Sequence, residues 1–186
     1  MVEPIRLTAP TDEATIRKLR AGDHVLINGT ILTGRDAAHK RLCELIDAGR
    51  IDQLPVKLEG QIIYFVGPTP ARPGKVIGSA GPTTSSRMDS LSPKLIALGL
   101  RGMIGKGYRS DEVRQAMQQH GCVHLAALGG LGALLGKAIQ DAKVLAYEDL
   151  GTEAIRELKV EDFPAIVAYD SHGENVYEAG VAAYRR

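Results

Sequence analysis

Short apolar runs alternate with helix-patterned segments along this chain, and glycine closes most of the helical ones. His24 to Leu32, Ile62 to Val66, Arg101 to Ile104, Val123 to Leu128, Val144 to Tyr147 and Ala165 to Tyr169 read as strands. Between them, Asp36 to Ala48 carries helical spacing and stops at Gly49, and Ser110-Asp111-Glu112 caps a helix that runs to His120 and stops at Gly121. An earlier helix opens at Thr11-Asp12-Glu13, after a short edge strand from Ile5 to Thr8. Asn28-Gly29 is expected to break its strand. Gly67 to Gly74, interrupted by Pro68, Pro70 and Pro73, is expected to be a loop, and His172-Gly173 to turn a hairpin between Ala165–Tyr169 and Asn175–Tyr177. Strands alternating with helices predict an α/β domain around a mixed sheet, one domain covering residues 1–186.

Composition narrows the function. With 44% hydrophobic residues in 186, one sizeable core is expected. A formal net charge of +1 supplies no field for nucleic acid, and no Trp with only two Phe leaves few base-stacking platforms. No apolar run has the length of a bilayer span, so no membrane partner is expected. The opening Met1-Val2-Glu3-Pro4-Ile5-Arg6 lacks a secretory apolar stretch and reads as the start of a mature cytoplasmic protein. Cys43 and Cys122 lie in neither a Cys-x-x-Cys pair nor metal-finger spacing. Both are expected to be reduced core residues, which leaves this chain without a cluster or zinc ligand set.

The densest chemistry lies in Gly81-Pro82-Thr83-Thr84-Ser85-Ser86-Arg87-Met88-Asp89. Adjacent hydroxyls, a Gly-Pro break before them and an Arg after them fit two readings. One is an ordinary capped helix start with a solvated Arg, the helix running from Leu91 to Leu98. The other is an anion-reading site that uses the unpaired amides of the helix start. Arg35, Arg87 and Lys106 all stand where apolar runs give way to loops or helices. Strand ends of an α/β sheet converge, so three such cations suit a small dicarboxylate, each Arg able to take a carboxylate with two prongs. The alternative is three surface cations beside turns. His39, four residues after Arg35, shares its helix face and either orients a carboxylate, transfers protons or packs as a capping residue. Gly129-Gly130-Leu131-Gly132 matches neither phosphate-loop pattern and is expected to permit close packing of a small-residue helix running through Ile139 against the sheet. Glu161-Asp162 reads as a solvated loop.

Two motifs, Gly81-Pro82-Thr83-Thr84-Ser85-Ser86-Arg87-Met88 and Thr33-Gly34-Arg35-Asp36-Ala37-Ala38-His39, resemble the β-subunit of class I (iron–sulfur) fumarate hydratases. The same module forms the C-terminal domain of single-chain class I fumarases and the β-subunit of L-tartrate dehydratase. The likeness continues through Gly105-Lys106-Gly107, Ala126-Ala127-Leu128-Gly129-Gly130 and Glu153-Ala154-Ile155 to Glu161-Asp162-Phe163-Pro164-Ala165, nearly the whole chain. It implies a swivelling β/β/α domain, a mixed sheet flanked by helices, similar to the mobile domain of aconitase-type enzymes. It also implies a partner α-subunit whose three cysteines hold a [4Fe–4S] cluster, with no metal ligand here. Carried over by motif, Arg35, Arg87 and Lys106 bind the dicarboxylate, Thr84 joins them and His39 supports the Arg35 side. Thr83 and Lys106 are the catalytic candidates, Thr83 presenting its hydroxyl to the carbon that gains or loses a proton.

The resemblance thus implies half of a hydro-lyase that interconverts fumarate and (S)-malate, active only with its α-subunit. Its Gly-rich, apolar surface is expected to favour self-association or a heterotetramer. Tartrate dehydratase is the alternative within the family, and a short β-subunit favours the two-subunit fumarases. A non-catalytic carboxylate-binding or interaction module is the alternative outside it, weighed against by Arg35, Thr83, Arg87 and Lys106 occurring together.

Overall fold

The computed structural model describes residues 3–128 and 130–185. The strands are β1 (Ile5–Ala9), β2 (His24–Thr33), β3 (Ile62–Tyr64), β4 (Gly102–Gly105), β5 (Val123–Ala126), β6 (Ile139–Ala146) and β7 (Ile155–Tyr169). The helices are α1 (Glu13–Ile16), α2 (Asp36–Asp47), α3 (Ser92–Ala97), α4 (Asp111–His120), α5 (Gly132–Lys137) and α6 (Val176–Tyr184). Among the described residues the seven strands form one sheet in the order β1-β2-β3-β4-β5-β7-β6. β2, β3, β4 and β5 run parallel in succession, and β7 is antiparallel to both β5 and β2. β7 therefore links the two ends of the parallel run and closes the sheet on itself. The chain is a mixed α/β protein, as its strand and helix alternation predicts.

Alternation along the parallel strands separates two apolar layers. Ile62, Tyr64 and Val66 face the inside of the closed sheet with Ile27 of β2 and Phe163 of β7. Ile63, Phe65 and Met103 face outward and are covered by Leu42 of α2, Leu95 of α3 and Met117 of α4. Strands covered on both faces read as continuous apolar runs, which is why Ile62 to Val66 shows no polar alternation. No helix among the described residues is long and apolar enough to cross a membrane.

Several local expectations are corrected. Asn28-Gly29 does not end its strand: β2 continues, with Asn28 opposite a bulge at Glu161-Asp162 of β7. There Asp162, at φ 47°, donates its amide to Asn28 Oδ1 and accepts from Arg6 at 2.6 Å. Glu161-Asp162 is thus exposed strand, not loop. Only one bridge, Tyr169 to Asn175, forms where a hairpin was expected, because Asn175 caps α6 by accepting from the Glu178 amide. The small-residue helix stops at Lys137, and β6 begins at Ile139. Gly132 presses on the backbone of Gly81 rather than on the sheet, and Gly129 lies outside the described residues.

Candidate functional site

The parallel direction of β2, β3 and β4 puts their C-terminal ends at one edge, and the expected site residues leave from those ends. Gly34, just past β2, donates to Tyr64 O at 3.1 Å, so Arg35 emerges beside the end of β3. The chain then leaves β3 in a long loop whose feet are closed by a bridge between Val66 and Pro82. On its return, the Thr83 amide donates to Phe65 O at 2.7 Å and the Ser85 amide to Lys106 O at 2.9 Å, while Thr84 pairs with Lys106 in a parallel bridge. The first half of the hydroxyl run, Thr83-Thr84, therefore lies in extended backbone between the exits of β3 and β4, and Ser85-Ser86 open a 3-10 turn. Arg35, Thr83, Thr84 and Lys106 share this edge, with Arg87 in the 3-10 turn Ser85–Met88 that follows.

The run leads into a single 3-10 turn rather than into α3, which begins only at Ser92, and the Thr83 and Ser85 amides are already paired with the carbonyls of Phe65 and Lys106. Those two amides are therefore not available to an anion. Thr84, Ser86, Arg87 and Lys106 are exposed and Thr83 is half-buried, so the site is an open edge. Among the described residues neither Arg87 nor Lys106 makes an ion pair.

Arg35 is more enclosed. Its NH2 lies 3.3 Å from Glu153 Oε1 and 3.6 Å from Asp36 Oδ2, and its Nε is buried without a hydrogen-bond partner. Gly67 leaves room for it, since a Cβ there would stand 2.7 Å from NH1. His39 lies behind it, fully buried, with Nδ1 2.9 Å from Arg35 O. A carbonyl only accepts, so Nδ1 carries the proton. Burial, with the charge of Arg109 adding to it, lowers the His39 pKa to about 4, so the ring is neutral near pH 7 and holds Arg35 through its backbone.

A buried polar network that sequence reasoning missed fixes the hydroxyl run from below. Ser85 turns inward with Oγ 3.3 Å from His124 Nε2, and His124 Nδ1 donates to Met103 O at 3.1 Å. Asp89 accepts from Arg109 Nε at 2.7 Å and from the Ser110 amide at 2.8 Å. Arg109 NH2 donates to Ser92 Oγ at 2.8 Å, and Ser92 donates to Met88 O at 2.8 Å. The one signal available in sequence was a Ser and an Asp inside the recognised motif; their partners lie far along the chain.

A family model described as Fumarase C-terminus matches residues 1–180. This chain belongs to that fumarase C-terminus family. It is 38% identical over 178 residues to the anaerobic class I fumarate hydratase of Escherichia coli (strain K12), covering 94% of this chain and 32% of that protein. A putative class I fumarate hydratase of Geobacillus stearothermophilus is 38% identical over 94% of this chain and 34% of its own length. The chain thus spans about a third of the fumarate hydratases it matches. A putative L(+)-tartrate dehydratase subunit β of Methanocaldococcus jannaschii is 39% identical over 88% of this chain and 86% of its own length.

The two cysteines of this family member do not fit an iron–sulfur cluster. Cys43, on α2, and Cys122, before β5, are free, buried in the helix-side core and raised in pKa by that burial, Cys122 to about 12. Among the described residues no group of three or more His, Cys, Asp or Glu side chains could hold a metal ion.

Proposed function

We propose that this chain supplies the carboxylate-binding and proton-handling half of a fumarate hydratase that interconverts fumarate and (S)-malate. The observation that carries this reading is the convergence of Arg35, Thr83, Thr84 and Lys106 on one edge, with Arg87 beside them. An open edge with unpaired cations suits a site completed by a facing α-subunit, and a swivelling domain would be the part that closes on it. The [4Fe–4S] cluster would belong to that α-subunit, since the two thiols here are buried in the helix-side core.

The residues of this chain then have separable tasks. Arg35 and Arg87 bind the substrate carboxylates, Thr84 adds a hydroxyl, and Lys106 stabilises charge that develops on the carboxylate as the adjacent C–H proton leaves. Thr83 handles that proton. A free threonine hydroxyl is too weak an acid to serve as a base unaided, so it needs the field of Lys106 or a partner carboxylate. In the native assembly, prepared without oxygen and assayed on fumarate, malate and L-tartrate, Thr83→Ala should lower kcat by about 100-fold while KM changes little. Unchanged turnover would remove Thr83 from the chemistry.

L-tartrate is the second reading, favoured by the tartrate dehydratase β subunit whose length this chain nearly matches. The same cations would serve it, and the three-substrate assay separates the two.

A further inference from the structure

Glu153 lies far from Arg35 in sequence, yet its carboxylate meets both the Arg35 guanidinium and the start of the helix that Arg35 opens. Oε1 stands 3.3 Å from Arg35 NH2, and Oε2 accepts from the Ala37 amide at 3.2 Å. The segment that carries Glu153 is stitched to the end of β2. Thr33 Oγ1 donates to Ala154 O at 3.1 Å and accepts from the Arg156 amide at 2.9 Å, and both Ala154 and Ile155 are buried. Glu153 is therefore held by backbone on the same strand end that launches Arg35. Gly67 bounds the guanidinium on its NH1 side at 2.7 Å from a would-be Cβ. Side-chain exposures of 20% for Arg35 and 26% for Glu153 set this pair apart from freely solvated surface pairs.

We propose that Glu153 is the positioning residue for Arg35 in substrate binding, an inference that rests on reading Arg35 as a carboxylate clamp. A long arginine side chain loses rotamer freedom when it grips a ligand. Holding NH2 against Glu153 before substrate arrives removes much of that loss from the binding step. NH1 is left without an ion-pair partner among the described residues, as a donor for the incoming carboxylate. The bond to Ala37 fixes the carboxylate itself, so the clamp and its holder move as one unit.

The test is steady-state kinetics of the native assembly on fumarate for Glu153→Gln, Arg35→Lys and the double variant, with thermal midpoints measured alongside. Glu153→Gln should raise KM about fivefold, the scale of a partly buried ion pair, with kcat nearly unchanged. In the Arg35→Lys background the same change should add almost nothing, because the holder acts only through its clamp. Four results would overturn the positioning role. They are a lowered KM, which would make Glu153 a competitor for Arg35; a shifted thermal midpoint with unaltered KM, which would make it structural; fully additive KM effects; and no change in either measurement. If Arg35→Lys itself leaves KM untouched, the carboxylate-clamp reading fails and takes this inference with it. A raised KM for Arg35→Lys beside a flat response to Glu153→Gln overturns the positioning role alone.

Discussion

A Cβ on Gly105 would overlap Ser85 Oγ and stand 3.0 Å from Cδ2 of Phe65. The glycine before Lys106 is thus explained by packing: it lets the hydroxyl run lie flat against the exit of β4, with Ser85 bonded inward to His124. Overpacking of this kind costs about 1–3 kcal/mol. Gly105→Ala should lower the urea midpoint accordingly and, if Thr83 and Thr84 serve as proposed, raise KM for fumarate as they shift with Ser85. Removing the hydroxyl relieves the worst overlap, leaving the tight contact of 3.0 Å to Phe65 Cδ2 and one of 3.4 Å to Ser85 Cβ. The double variant Gly105→Ala/Ser85→Ala should therefore unfold at higher urea than Gly105→Ala alone. A double variant less stable than the single one would show that the Ser85–His124 bond, not steric room, governs this position. Glu153 and Gly105 act at the same scale from opposite sides, one holding a cation and the other making space for hydroxyls.

Elements marked by local chemistry were legible in the sequence. α4 starts at its Ser110 cap and ends at Gly121 in the left-handed region, as the residues predict. Long-range features were not. The pairing of β2 with β7, which closes the sheet, joins residues more than a hundred positions apart. The first half of β7 was missed because the bulge at Asp162 shifts its period-two burial by one residue and places charges at the shift. In the site, the cations and hydroxyls were legible because their types and glycine settings point to anion chemistry. His124, Arg109 and the Glu153 contact were not, since nothing local sets them apart. Asp170, just past β7, is a further case. Its Oδ1 accepts from the His172 and Glu174 amides at 2.8 and 3.0 Å, and its Oδ2 from the Ala21 amide at 3.1 Å. It ties the end of β7 to the turn before β2. Asp170→Ala leaves three backbone donors without their acceptor and should cost about 3 kcal/mol in denaturant unfolding, with Asp170→Asn costing less. Equal losses for the two variants would show that the carboxylate charge, rather than acceptor geometry, holds this junction.

At the scale of the whole molecule, two neutral imidazoles buried beside the site couple its stability to acid. Burial lowers His39 to about 4 and His124 to about 3, and the charge of Arg109 pushes both the same way. An unfolded chain titrates its histidines near the ordinary value of about 6.5. Above that pH neither state carries these protons and the native fold bears no penalty. Between about 6.5 and about 4 the unfolded chain binds two protons that the native fold refuses, so stability falls as pH falls. Each histidine contributes a slope of about 1.4 kcal/mol per pH unit in that window, levelling off for His39 near 4 and for His124 near 3. Carboxylates held below their usual range by partners, such as Asp149 on Arg41, add an acid loss of their own at lower pH. Comparison with a variant removes their share. His39→Asn keeps a donor for Arg35 O but cannot titrate, so urea titrations between pH 6 and 5 should show its slope reduced by about 1.2 kcal/mol per pH unit relative to the parent. Equal slopes would mean that His39 takes up its proton in the folded chain, and that the backbone of Arg35 rests on a cation instead of a neutral ring.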